Sequence, residues 1–266
     1  MKPILILQQD ELAGPGHVLP LLHAAGLSWM VWRADALPRQ RLALQQCAGL
    51  IVLGRAWGRA PRSVEAPVLA LCVDALTHDR PVLALGSGAE LLACTAGGRL
   101  VAREAGVQGW LPAWLTPQAA QQWSASRQVD VLVQAHQDIE LPPRAQRVMF
   151  DRRCFNLGFA FGPHLGLQSD LQLTLEMLLA ASQRMSDAQA RLAPGASQAR
   201  LLGHGGLELL HDAPARMAAQ QRLLARVLRH WLRGLNPEGL TRRAPSALWS
   251  LGGGGRAGRG AFRWNG

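Results

Sequence analysis

The run Pro81-Val-Leu-Ala-Leu-Gly-Ser-Gly-Ala-Glu-Leu-Leu-Ala93 gathers the features of a reactive site into one short stretch. It reads as an apolar strand, a tight turn of small residues and an apolar helix. In hydrolytic α/β enzymes a turn of the form small-x-nucleophile-x-Gly is a nucleophile elbow. It holds a reactive side chain in a strained backbone, at a helix N-terminus whose N–H groups stabilise an oxyanion. The tip here is Gly86, which has no side chain to react. Ser87 falls one place past the tip, where the backbone N–H is the useful group, and as a nucleophile it would also need a base. Cys94 lies about two turns into the helix and reads as a packed small side chain. His136, with Asp138 nearby, is either a residue lining the site or a structural histidine hydrogen-bonded in a loop; the second reading is preferred.

The four cysteines, Cys47, Cys72, Cys94 and Cys154, show neither CxxC nor Cys/His metal spacing, and the eight histidines form no HxxxH or HExxH pair. Reduced, mostly buried cysteines are therefore expected, with no metal and no cofactor.

The elements that must position the turn follow from hydrophobic pattern. Strands are predicted at 3–7, 28–33, 50–53 and 81–85, and helices at 17–25, 68–77 and 89–96. Strands at 129–134, 147–150 and 157–161 follow, the last two as antiparallel additions. Leu165 to Gln168 forms a further strand, leading into a helix from about Leu171 to Arg184. A long helix over Pro214 to Arg233 carries Leu223, Leu224, Val227, Leu228, Trp231 and Leu232 at helical spacing, read as core packing. Alternating strands and helices imply an α/β fold with a mainly parallel sheet flanked by helices.

Residues 1–236 are assigned to one domain and 237–266 to an Arg/Gly-rich, flexible C-terminal tail. The apolar runs are too short to span a bilayer, and Met1-Lys2-Pro3 leads into a strand rather than a signal peptide, so a cytoplasmic protein with no membrane role is expected. Hydrophobic content of 48% and charged content of 17% exclude wholesale disorder. Lys+Arg 28 against Asp+Glu 18 gives a pI near 11.2. Lys2 is the sole lysine, and the arginines are scattered until the C-terminal end. Biased codon usage explains this better than selection for a basic surface, so nucleic acid is not an expected partner. Exposed tryptophans such as Trp57 or Trp114 could line an interface, although single tryptophans are usually core or pocket walls.

The elbow run resembles that of the class I glutamine amidotransferases, especially small stand-alone members related to the glutaminase domain of GMP synthase. The resemblance extends over roughly residues 3–180 in consistent order. Ile4-Leu-Ile-Leu-Gln8 and Gly14-Pro15-Gly16 resemble the first strand and loop. Leu50-Ile-Val-Leu-Gly54 resembles the strand before the oxyanion loop, and Gly109-Trp110 with Pro112 a Gly-Trp-x-Pro segment. His136, Asp138 and Leu141-Pro142-Pro143 match a His-Gly-Asp and Leu-Pro stretch. Cys154, Asn156, Phe159 and Gly162 fit the next segment, and Leu165-Gly-Leu-Gln168 the strand before Phe-His-Pro-Glu.

The resemblance implies a flavodoxin-like fold and, in the family, a Cys–His–Glu triad that forms a glutamyl thioester and releases ammonia. Carried onto this chain, the Cys position is Gly86, the His position Asp170 and the Glu position Gln172. The second Gly of the oxyanion loop, after Gly54, is Arg55, and the Gln of the helix after the elbow is Glu90. The former pocket is then lined by Gly54, Arg55, Ser87, Glu90 and His136, with Arg55, Glu90 and Asp170 expected to fill it as an ion-pair cluster. A catalytically inactive pseudoenzyme is expected, binding a protein partner or a small ligand in the former glutamine pocket. The alternatives are a hydrolase of this superfamily with an unrecognised nucleophile, and an RNA or acidic-partner binder working through the tail.

Overall fold

The computed structural model describes residues 2–10, 12–34, 44–55, 57, 66–190, 201–203 and 207–235. The tail assigned to 237–266 lies outside the described residues.

Strands β1 (Ile4–Gln8), β2 (Trp29–Arg33), β3 (Gly49–Val52), β4 (Val82–Leu85) and β9 (His164–Leu167) form the parallel half of a ten-stranded sheet. Their spatial order is β2-β1-β3-β4-β9. The sheet continues antiparallel through β8 (Gly158–Phe161), β7 (Gln146–Phe150) and β5 (Arg99–Leu115). β5 also pairs with antiparallel β6 (Gln128–Glu140) and parallel β10 (Leu201–Gly203).

The inner strands are apolar throughout because both faces are covered. Alternate residues serve opposite sides: Ile4, Ile6, Leu83 and Leu85 enter one core cluster, Leu5, Leu7, Val82 and Ala84 the other. On the first face lie α1 (Val18–Ala24) and α6 (Ala213–Arg233), contributing Val18, Leu22, Leu224, Val227 and Trp231. On the second lie α2 (Ala66–Thr77) and α3 (Ser87–Thr95), contributing Val68, Cys72, Ala89 and Leu92. Two further helices are α4 (Pro117–Trp123) and α5 (Leu175–Ala190).

The predicted elements recur with shifted ends, and four features differ from expectation. β5, the longest strand, is not seen in the hydrophobic pattern, because Arg99 to Gly106 mixes charged and apolar residues without alternation and the register shifts between Ala102 and Val107. α4 is short, and β10 pairs over three residues, so neither shows a clear period. α5 begins at Leu175 rather than Leu171, leaving 168–174 as a loop between β9 and α5. Trp57 is buried rather than exposed, whereas Trp114 is 42% exposed.

Candidate functional site

Three adjacent parallel strands, β3, β4 and β9, deliver Gly54-Arg55, Gly86 and Gln168-Ser169-Asp170 to one end of the sheet. The C-terminal ends of parallel strands are where open α/β sheets hold their ligands.

Gly86 stands between β4 and α3 with φ 59° and ψ −137°. That region strains any residue bearing a side chain and suits glycine. The neighbouring backbones press close. A Cβ on Gly88 would stand 2.5 Å from the Val52 carbonyl oxygen, and one on Gly54 would stand 2.7 Å from the Ser87 nitrogen. The elbow is therefore present, with its tip bare.

Asp170 occupies the space the tip leaves. A Cβ on Gly86 would lie 2.1 Å from Asp170 Oδ1 and 2.9 Å from its Cγ. The carboxylate is held there by several groups. Trp57 Nε1 donates to Oδ2 at 2.7 Å, and Gln172 Nε2 donates to Oδ1 at 3.1 Å. The backbone is fixed as well: the Asp170 N–H donates to the Leu132 carbonyl, and the Asp170 carbonyl accepts from Gln220 Nε2. Gln220 Oε1 in turn accepts from the Leu132 N–H at 2.8 Å. Burial pushes the Asp170 carboxyl up to about 6, against the two side-chain hydrogen bonds that favour its charged form.

Position 170 thus faces position 86, and position 172 faces position 170, the mutual arrangement that a nucleophile, its base and an orienting group require. The residues at those places are of other types: Gly86 has no side chain, position 170 holds a carboxyl in place of an imidazole, and the Gln172 amide carries no charge.

Ser87 is committed elsewhere. Its Oγ accepts from the Arg55 N–H at 3.0 Å, so the first N–H after Gly54 is satisfied internally. Glu90, in the first turn of α3, accepts from Gln168 Nε2 at 2.9 Å, and Gln168 Nε2 also reaches the Gln137 carbonyl. Burial raises the Glu90 carboxyl to about 7; the Gln168 bond opposes the rise, the Asp170 charge adds to it and the Arg55 charge opposes it. Arg55, Glu90 and Asp170, the expected cluster, share one electrostatic environment, since both other charges act on Glu90. Arg55 acts on Glu90 through space, while Asp170 takes its hydrogen bonds from Trp57 and Gln172.

His136 is placed on strand β6 rather than in a loop, at the register shift opposite β5, and burial lowers its pKa. Its expected companion Asp138 pairs with Arg103. Among the described residues no hydrogen bond links His136 to the elbow. Cys47, Cys72 and Cys154 are buried free thiols and Cys94 is exposed. No group of three or more metal-ligating side chains occurs among the described residues.

Two further residues hold the site: Trp57, which the sequence marks as a lone tryptophan without revealing its partner, and Gln220, which the motif patterns do not mark. Gln220 had a signal: it is a polar residue on the buried stripe of α6, between Met217 and Leu223. A lone tryptophan at position 57 has no periodic context to reveal its partner.

The chain matches no protein-family model and no curated protein. Solved structures do match. A glutamine amidotransferase from Methylobacillus flagellatus superposes with TM-score 0.77 at 25% identity, covering 92% of this chain and 99% of that one. A glutamine amidotransferase from Thermotoga maritima gives TM-score 0.71 at 17% identity, covering 86% and 97%. A candidate GMP synthase component from Thermoplasma acidophilum gives 0.51 at 15%, covering 65% and 86%. The fold is therefore that of the class I glutamine amidotransferases. Its α/β sheet carries the elbow described above, with glycine at the tip.

Proposed function

We propose that this chain is a catalytically inert amidotransferase-like protein that acts as a binding or regulatory module. Gly86, Asp170 and Gln172 stand at the positions where the family resemblance places Cys, His and Glu. The observation that carries the reading is the Asp170 carboxylate lying 2.1 Å from where a Gly86 Cβ would be. A side chain at the tip and the present Asp170 exclude one another, so no covalent acyl intermediate can be anchored there.

A hydrolase built on Ser87 would need the hydroxyl free and a base within reach. The Ser87 Oγ accepts from the Arg55 N–H, and among the described residues no hydrogen bond joins it to a carboxylate or imidazole that could take its proton. Residence in the cytoplasm and binding of a ligand or partner in the former pocket complete the reading.

The test is covalent trapping. A glutamine analogue bearing an electrophilic diazoketone alkylates an elbow nucleophile, and intact-mass spectrometry reads the adduct. No adduct is expected at any residue of 81–93. A stoichiometric adduct on Ser87 would replace this reading with the hydrolase alternative.

A further inference from the structure

Helix α6 carries Arg222, Arg226, Arg229 and Arg233 at spacings of four, three and four residues, and no carboxylate anywhere in Ala213–Arg233. That spacing aligns the four on one helical stripe, about 16 Å long at the α-helical rise. Arg222, Arg229 and Arg233 are exposed, and Arg226 is half-buried, donating to the Ser124 carbonyl. The buried stripe of the same helix, Met217 to Trp231, faces the sheet, so the arginines look outward. No ion pair engages Arg222, Arg229 or Arg233 among the described residues.

Beside the Arg222–Arg226 half of the stripe lies a groove of about 640 Å³, walled by Arg216, Arg222 and Arg226 on the helix and by Ser126 and Gln128 ahead of and within β6; Arg229 and Arg233 extend the stripe beyond it. Ala215 and Ala219 leave it room for a partner's backbone. Two carboxylates, Asp130 and Asp212, also line it, so the groove itself carries three arginines against two carboxylates and the uncompensated charge lies at Arg229 and Arg233. The Arg229–Arg233 end has His230 beside it, whose pKa is lowered by burial and by the Arg233 charge.

We propose that this face of α6 docks an acidic polypeptide segment of a partner protein. Charge decides the occupant. A second copy of this chain carries a formal net charge of +10, and the residues after Leu235 hold five arginines against the single carboxylate of Glu238. Neither complements the stripe. Nucleic acid would supply the charge, but single strands are gripped by exposed aromatic rings as well as by cations. The one aromatic of α6 apart from His230 is Trp231, and it is buried. Arginine forks pair with carboxylates two-pronged, and a line of them beside an open groove suits an extended or helical acidic segment. The proposal stands whether or not the elbow is inert.

The test uses the full chain and labelled poly-L-glutamate of about 20 residues, followed by fluorescence anisotropy at about 50 mM and about 200 mM salt. A quadruple variant, Arg222→Gln, Arg226→Gln, Arg229→Gln and Arg233→Gln, is compared with a charge-matched control, Arg242→Gln, Arg243→Gln, Arg256→Gln and Arg259→Gln. Circular dichroism verifies that both stay folded. Wild type and control should bind in a salt-sensitive manner, with the stripe variant weaker by about tenfold or more. Equal losses in both variants, or no binding by the wild type at the lower salt, would overturn the proposal. So would an oligothymidylate of matched length binding the stripe more tightly than poly-glutamate, which would mark a nucleic-acid surface instead.

Discussion

The indole N–H of Trp57 donates to Asp170 Oδ2 at 2.7 Å, joining two residues 113 positions apart at the bare tip of the elbow. The bond anchors a buried carboxylate in a space that a side chain at Gly86 would otherwise fill. Trp57→Phe keeps most of the ring and removes the donor. It should cost about 1–3 kcal/mol, the penalty of an unmet acceptor in the interior, measured by denaturant unfolding. A change below a few tenths of a kcal/mol would show that the contact is not maintained in solution.

Gly86 and Asp170 should be energetically coupled. Gly86→Ala adds backbone strain of about 1–3 kcal/mol at a positive φ and also displaces the carboxylate. In an Asp170→Gly background only the strain remains. The double-mutant cycle should therefore show a coupling of about 1–3 kcal/mol. Equal cost of Gly86→Ala in both backgrounds would contradict the close approach. Gly86→Cys alone should destabilise for the same two reasons.

Glu90 should give stability a distinctive pH dependence. Its folded pKa of about 7 lies above the ordinary 4.5, so the folded protein holds the proton more tightly than the unfolded chain. Its contribution is complete below about pH 4.5 and is lost as pH rises through about 7. Asp170, raised from 3.8 to about 6, acts in the same direction over a lower window. Glu90→Gln stays neutral and can still meet the Gln168 amide. Its melting temperature relative to wild type should therefore rise between about pH 5 and about pH 8. A flat difference would mean that Glu90 is not held above its ordinary range.

Gln220 bridges the Leu132 N–H and the Asp170 carbonyl from inside the core. Gln220→Leu strands both backbone groups away from water and should cost about 2–4 kcal/mol, read by chemical denaturation. A neutral or stabilising outcome would show that the apolar side chain repacks and the backbone groups find other partners.

The parallel half of the sheet was legible because its strands are unbroken apolar runs ended by glycine, as in Leu50–Gly54 and Pro81–Gly86. The elbow was legible from the same run, and its geometry needed only Gly86, Gly88 and the strand before them. β5 is hidden because its first half interrupts short apolar stretches with Arg99, Arg103 and Glu104 and carries a register shift, so neither alternation nor a continuous apolar run marks it. The loop at 168–174 imitates helix in part because Leu171 extends the spacing of Leu175 and Leu178 back by four residues, the period of a helical stripe. Trp57 escaped because its role depends on Asp170, a contact between distant segments that no local pattern encodes. On α6 the apolar side carries the periodic signal, whereas the arginines opposite blend into a chain whose basic residues are nearly all arginine.

The most direct test of an inert site is ammonia release from glutamine by the purified chain, beside the triple variant Gly86→Cys, Asp170→His and Gln172→Glu. The wild type should release ammonia at no more than the uncatalysed rate, because no nucleophile stands at the tip and Asp170 fills the space above it. Release by the variant would add that positions 86, 170 and 172 still hold the geometry of a triad, while silence in both would mean that Arg55 and its neighbours have closed the pocket as well. Steady turnover by the wild type, abolished by Ser87→Ala, would contradict the account.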